Sequence, residues 1–452
     1  MIKQIKYSIV FLLTIISFYG CQSSFYASTY SFNQQYEQRN YKQAIEELNN
    51  TRLLKKKDRN KVLYYLNYAT LLQHLGNYEE SITYFNLADQ YIAEHNTLTL
   101  ADAALTIATN SMKTNYRTES FEQIMLHYYQ AINYISINNY EEAIVECRKM
   151  NEELQKLDDY RKDNGKHYTN DAFGHYVMGI LYETIGDYNN AFIAYRNALN
   201  IYDSDYQTLY ATTTPESLKK AAIRVAYAVG FKQEANELEK KYKIQNLQNG
   251  DVGHLILFVE DGNSPIKSEH IFNFAKGSGS GVMSYVSDDG SLDIPIILPT
   301  KSSNNQSVSD IKSVTMALPK YVSRTNKLPS NIYQIDGQIY MASMVENLNK
   351  IAPQSLKDRF WRELGVALLR VGAKQALSSA VSKQNEWIGL AISVTQAVTE
   401  KADTRNWQTL PACIRIIDTE LSVGQHKITL PSKEEISFTI EKGKTSFVMV
   451  KN

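Results

Sequence analysis

The sequence predicts an α+β chain: an all-α N-terminal array of antiparallel helical hairpins, then a β-rich, antiparallel, sandwich-like C-terminal domain with a helical insertion. Three observations carry this. A pattern of Tyr, two polar residues and a small residue recurs as Tyr41-Lys42-Gln43-Ala44, Tyr78-Glu79-Glu80-Ser81, Tyr140-Glu141-Glu142-Ala143 and Tyr188-Asn189-Asn190-Ala191, each copy just after a turn signal. From Gly253 the hydrophobic pattern changes to short apolar or alternating runs. A helical period returns from Gln354, before four more alternating runs.

Taken in chain order, the first element is a leader. Lys3 and Lys6 precede the apolar run Ser8 to Phe18, and Gly20 stands directly before Cys21. That order of charged, apolar and small residues is that of an export signal. The apolar core is shorter than the roughly 20 residues a membrane-spanning helix needs, and polar Gln22, Ser23 and Ser24 follow at once. Phe18-Tyr19-Gly20-Cys21 resembles the lipobox of bacterial lipoproteins, with Phe18 departing from the usual Leu. The resemblance implies that residues 1–20 are a lipoprotein signal peptide, that the Cys21 thiol takes up diacylglycerol, and that Cys21 becomes the first mature residue. In the sorting rule that comes with it, Gln22 in place of Asp implies an outer-membrane protein, lipid-anchored and facing the periplasm. Removing Lys3 and Lys6 shifts the formal charge only from 0 to −2.

Residues 21–245 form the expected helical repeat domain. The best copy runs from His175 to Ala198: Gly179 and Tyr182 fall on a first helix, Gly186-Asp187-Tyr188 at the turn, and Ala191, Tyr195 and Ala198 on a second. Gly179 and Ala191 allow two helices to approach closely, and Gly186 supplies a turn conformation costly to other residues. Tyr182 and Tyr195 fill the gaps. A second copy uses Ala69, Leu72, Gly76, Tyr78, Ser81, Phe85 and Ala88, and a third, around Tyr140 and Ala143, has Asn138 where the others have the turn glycine. Asn tolerates the left-handed conformation. These spacings match the TPR pattern, so the array is read as TPR-like. The copies lie further apart than the ideal of about 34 residues, which places extra helical material near Leu98 to Lys113. A last hairpin is expected from Ser217 to Lys241, then a linker over Asn246 to Asp251.

The second domain is expected over residues 252–452. His254 to Val259 and Asp293 to Leu298 read as buried strands, Val314 to Pro319 as another, and Ile332 to Gln338 as two short strands turning at Asp336-Gly337. Gly277 to Gly281 and Lys301 to Asp310 read as loops. The insertion, around residues 354–402, carries Trp361, Leu364, Leu368 and Ala373 at helical spacing and a second helix near Trp387 to Lys401. Ile414 to Leu421, Gln425 to Leu430, Glu435 to Ile440 and Thr445 to Val450 then alternate well, with Gly424 and Gly443 at turns, which argues for antiparallel pairing with one buried face.

With these residues assembled, the chain resembles a family of uncharacterised bacterial lipoproteins with a lipobox, TPR-like helices and a β-rich C-terminal domain. The carriers are Leu255-Ile256-Leu257-Phe258-Val259-Glu260-Asp261-Gly262 with Pro265, Ala317-Leu318-Pro319-Lys320-Tyr321, Ala402-Asp403-Thr404-Arg405-Asn406-Trp407-Gln408-Thr409-Leu410-Pro411, and Gly424-Gln425-His426. The resemblance spans nearly the whole chain and implies architecture and location. It transfers no catalytic residue.

Composition and motifs exclude more than they suggest. Forty-eight Lys and Arg balance forty-eight Asp and Glu, so no nucleic-acid partner is expected. The eight His residues form no HExxH pair and no zinc-like cluster with Cys, so no metal and no cofactor is expected. Gly277-Ser278-Gly279-Ser280-Gly281 lacks the Gly-Lys-Ser/Thr of a phosphate loop, and no GxSxG elbow occurs. With Cys21 lipidated, Cys147 and Cys413 fall in different expected domains, which points to two buried free thiols. Asp403, Arg405 and Trp407 are the most suggestive cluster. In one reading Trp407 buries against the sheet while Asp403 and Arg405 pair or bind nearby backbone; in the other, Arg405 and Trp407 form a docking edge. The expected function is therefore not catalytic. It is that of a membrane-anchored periplasmic scaffold whose hairpins bind protein partners of the cell envelope through their concave groove. A subunit of an envelope export or pore complex, with close helix packing from Gly365 to Val398, and an envelope hydrolase with a noncontiguous site are the alternatives.

Overall fold

A computed structural model describes residues 24–55, 57–95, 112, 114–159, 171–245, 252–276, 282–286, 293–297, 313–324, 328–358 and 402–452. Ten of the described helices pair into five hairpins: α1 (Tyr30–Glu37) with α2 (Tyr41–Asn50), α3 (Lys61–His74) with α4 (Tyr78–His95), α5 (Ser120–Ser136) with α6 (Tyr140–Asp159), α7 (Ala172–Thr184) with α8 (Tyr188–Ile201), and α9 (Glu216–Val229) with α10 (Lys232–Tyr242). Each hairpin turns on one left-handed residue two positions before its second helix: Arg39, Gly76, Asn138, Gly186 and Gly230, with φ of 61°, 79°, 59°, 81° and 93°. Inside the hairpins the small residues Ala44, Ala88, Ala143, Ala191 and Ala235 are fully buried. Among the described residues no helix is long and apolar enough to cross a membrane.

The second half contains twelve described strands in three sheets: β1 (Val252–Asp261), β2 (Ile266–Lys276), β3 (Val282–Val286), β4 (Asp293–Ile297), β5 (Ser313–Val322), β6 (Ile332–Ile335), β7 (Gln338–Met341), β8 (Ser343–Glu346), β9 (Cys413–Ser422), β10 (Gly424–Thr429), β11 (Glu435–Ile440) and β12 (Thr445–Lys451). The sheet orders are β12-β1-β9-β8, β11-β10-β6-β7 and β4-β3-β2-β5. All pairings are antiparallel except one. β12 runs parallel to β1, with His254 opposite Thr445 and Glu260 opposite Lys451, so the last four strands do not form the antiparallel set their alternation suggests. Alternation specifies which face is buried and leaves the partner open, and the long stretch between β1 and β12 supplies the crossover a parallel pair needs.

The apolar run in β1 is buried on both faces. Leu255, Leu257 and Val259 join Ile417, Tyr333, Ile335, Ile428 and Ile440 in a core between the first two sheets, which makes the sandwich. Ile256, Phe258, Ile414 and Ile416 point the other way, into a core continuous with the helical hairpins. The layers are thus helices, the β1 sheet and the β10 sheet. Cys147 and Cys413 are free and buried. Residues 348–358 are helical, so that helix starts before Gln354. The loop readings at Gly277 to Gly281 and Lys301 to Asp310, the helical material between 98 and 111, the linker and the insertion beyond residue 358 lie outside the described residues.

Candidate functional site

The first helix of each hairpin lines one side of the array, and that side is filled by the chain's own C-terminal half. Residues 402–412 run along hairpins one to three without regular structure between the insertion and β9. The Thr404 hydroxyl accepts from Phe25 N at 2.9 Å. The Gln408 side-chain oxygen accepts from Thr29 Oγ1 and from Asn33 Nδ2, both at 2.8 Å, and Tyr36 donates to the Thr409 carbonyl at 2.5 Å. Arg405 donates to Asn60 Oδ1 at 2.9 Å and to the Thr114 carbonyl at 3.0 Å. Trp407 N donates to Glu122 Oε1 at 2.7 Å, and its indole nitrogen to Thr409 Oγ1 at 2.8 Å.

Trp407 is 0% exposed and Arg405 1%. The indole lies in the core shared by the helices and the β1 sheet, with ring centroids 5.6 Å from Tyr129 and 5.9 Å from Phe85. Arg405 does pair with Asp403, Nη2 to Oδ2 at 2.6 Å. Burial works to raise the Asp403 carboxyl, and the Arg405 guanidinium outweighs it, so Asp403 sits below the usual carboxylate range. Arg405 and Trp407 therefore form no exposed docking edge in this structure: every polar contact named above is with the chain itself.

Glu122 is set for its role by its position in the first turn of α5. Its Oε2 accepts from Glu119 N at 2.8 Å and from the Tyr116 hydroxyl at 2.6 Å, which caps the helix and leaves Oε1 for Trp407 N. Burial lifts its carboxyl above the ordinary value, against the pull of Lys267. Lys267, on β2, forms a buried ion pair with Glu119 and has its ammonium 5.6 Å from the Tyr321 ring centroid. Arg324, just after β5, donates to the Gln408 carbonyl at 2.5 Å and pairs with Glu37 at 3.1 Å.

Beyond residue 412 the β1 sheet takes over. The Tyr129 hydroxyl donates to Glu260 Oε2 at 3.1 Å. At hairpins four and five the Tyr176 hydroxyl bridges Ser217 and Asp418, 2.8 Å from each. Thr184 and Thr445 hydroxyls meet at 3.2 Å, and Arg224, paired with Glu183 at 2.9 Å, reaches Glu420 at 3.8 Å. His254 lies 3.4 Å from Glu420 and 3.8 Å from Asp418.

The repeat residues are spread through the hairpins and meet the C-terminal half through Phe85, beside Trp407, and Tyr140, whose ring centroid lies 6.0 Å from that of Phe447. Gly76 and Gly186 are turn residues, Tyr78 and Tyr140 are half-buried, and Ser81, Phe85, Ala88, Ala143, Ala191, Tyr195 and Ala198 are buried. Gly179 lies under the Tyr195 ring. Tyr182 is buried and accepts from Arg148 at 2.7 Å, whereas Tyr188 is exposed. Phe85 is the repeat residue that touches Trp407. Cys21 lies outside the described residues. Sequence reasoning missed Thr29, Asn33, Tyr36, Asn60, Glu122 and Tyr129; the available signal was polar residues on otherwise apolar helix faces, which names a face but no occupant. Among the described residues no group of three His, Cys, Asp or Glu is placed to hold a metal. The crevice between Cys147, Met150, Asp171, Gly174, His175 and Met178 is too tight for a water molecule.

The tetratricopeptide repeat family matches residues 62–95 and 174–205, which are hairpin two and most of hairpin four. No curated protein matches. Among solved structures, BtubC (BKLC) from P. vanneervenii is 16% identical over 48% of this chain and 82% of that one, with a TM-score of 0.33. MamA residues 41 to the end from Desulfovibrio magneticus RS-1 is 13% identical over 48% and 91%, TM-score 0.30, and the apo form of RapI is 14% identical over 51% and 56%, TM-score 0.35. The chain carries tetratricopeptide repeats in its helical half, joined through one core to a sheet-built C-terminal half.

Proposed function

We propose that this chain is an exported, lipid-anchored scaffold that joins protein partners of the cell envelope, held by Cys21 at the outer membrane and facing the periplasm. The observation that supports it is the repeat array, five hairpins in one register built from packing residues. Such arrays work by presenting surface, and stacked repeats make a long one. The filled first-helix side moves the available surface to the second helices, where Leu87, Val145 and Ile193 are exposed apolar side chains on α4, α6 and α8. The lipobox-like string at Cys21 supports the anchor.

Two measurements test this. Metabolic labelling with an alkyne palmitate is expected to mark the wild type and to lose the mark in Cys21→Ser; an unchanged mark refutes the anchor. Photocrosslinking residues at positions 87, 145 and 193 are expected to trap protein partners in intact cells. Absence of crosslinks from all three positions refutes the scaffold reading.

A further inference from the structure

We propose that the first-helix side of hairpins one to three is a binding site for an extended peptide carrying Arg-x-Trp, and that residues 404–409 occupy it in cis as an exchangeable ligand. For its outside partner this rests on the scaffold reading above.

The contacts have the form of peptide recognition. The segment has no regular structure, and successive residues engage different elements: Thr404 meets Phe25 ahead of hairpin one, Gln408 and Thr409 meet Asn33 and Tyr36 in hairpin one, Arg405 meets Asn60 before α3, and Trp407 meets α4 and α5. Helix side chains hold the segment's backbone at Trp407 N and at the Thr409 carbonyl, while the Trp407 indole, packed against the stacked Phe85 and Tyr129 rings, supplies a desolvated aromatic anchor.

Each side also carries an ion pair of its own. The segment brings its own ion pair, Arg405 with Asp403. Toward the groove, Arg405 meets Asn60 Oδ1, the Arg59 and Thr114 carbonyls, and the Tyr116 ring at 5.4 Å. When the segment leaves, Glu122 keeps the Tyr116 hydroxyl and Glu119 N, Glu119 keeps Lys267, and Arg324 keeps Glu37 and the Ser264 carbonyl. An ion pair kept within the segment eases its release, because an uncompensated buried charge opposes opening. The tether lies just beyond. Ser264 N donates to the Leu410 carbonyl at 2.8 Å and Ala412 N to the Asp261 carbonyl at 2.9 Å, so residues up to 409 can leave while β9 stays paired.

The test is the binding of a fluorescent synthetic peptide of residues 402–411 to the full chain, read by anisotropy. Wild type, its site filled in cis, is expected to bind at least about 100-fold more weakly than Trp407→Ala, because only the fraction with an open groove competes. A peptide carrying the same Trp-to-Ala change is expected to bind neither protein. A folded Trp407→Ala chain that ignores the peptide, or equal binding by both chains, overturns the proposal. If Trp407→Ala does not fold, hydrogen exchange on the wild type decides. Amides of residues 404–409 exchanging well before those of β1 and β9 support exchange of the segment, and amides that exchange only together with those strands refute it. Neither readout depends on the palmitate mark or on crosslinks from the second helices, so this proposal and the scaffold reading can fail separately.

Discussion

A methyl group on Gly179 would stand 2.3 Å from Cδ1 of the Tyr195 ring, inside any permitted contact. Tyr195 cannot yield easily, because its hydroxyl is tied to Glu183 at 2.7 Å. Gly179→Ala is therefore an overpacking change, despite Ala being the better helix former, and is expected to cost about 1–3 kcal/mol in denaturant unfolding. A stabilised variant would contradict the packing account. His426 shows a different residue-level constraint. Its Nδ1 lies 2.5 Å from Asp336 Oδ2 and its Nε2 2.7 Å from the Ser422 carbonyl, two acceptors that together require the doubly protonated ring. Burial opposes the charge, but the bonds to Asp336 and Ser422 prevail and raise the imidazole above its ordinary value. Asp336 is held low, chiefly by the hydrogen bond from His426. The ring's contribution is complete below its unfolded value of about 6.5 and fades as pH rises through the raised folded value. The carboxylate's is complete above about 3.9 and fades as pH falls through its lowered one. The stability gap between wild type and Asp336→Asn should thus be largest between about pH 4 and 6.5 and narrow toward pH 8.5. It should stay below about 1 kcal/mol because Asp336 is largely exposed. Asn keeps the left-handed turn, so the change isolates the charge. Melting curves across that range check it, and a gap flat in pH rules it out.

At the scale of elements, the five hairpins share one turn, and two of them pay for it with a side chain. Asn138 stands at φ 59° where hairpins two and four have glycine. Asn138→Gly is expected to stabilise by up to about 1 kcal/mol, seen as a raised melting temperature, since this position is exposed and no packing is lost. A lowered one would mean that the Asn138 bond from the Tyr140 hydroxyl, 3.2 Å, outweighs the strain. These hairpins were legible in the sequence because each is a local unit: turn residue, small residue and aromatic fall within a few positions. The Asp336-Gly337 turn between β6 and β7 was legible for the same reason, and both residues have positive φ. β2 was not, since Lys267, Glu269, His270 and Asn273 break up its apolar residues, and β8 is only four residues long. The parallel partner of β12 and the occupant of the repeat face were hidden more deeply. Both depend on contacts between distant parts of the chain, and a local pattern records that a face will be covered without recording by what.

For the whole molecule, the shared core means that neither half presents a finished surface alone. A fragment of residues 252–452 would expose Ile256, Phe258, Ile414 and Ile416, which the helices cover. It is expected to aggregate or to bind a hydrophobic dye strongly, as gel filtration and dye fluorescence would show. A monodisperse, dye-silent fragment would disprove the shared core. The same closure sets a timetable. Phe25 N and the Thr404 hydroxyl that covers it are separated by 379 residues. A ribosome adding roughly 5–20 residues per second makes the first of these on the order of tens of seconds before the second. Throughout that interval Phe25 N and the Tyr36 hydroxyl lack their native partners, Thr404 and Thr409, and the hairpins, quick to form from local contacts, must wait for a closure of very high contact order. The chain's vulnerable period thus belongs to its biogenesis: a holding chaperone that shields the nascent first hairpins would raise the yield of native protein more than any change that tightens the finished fold.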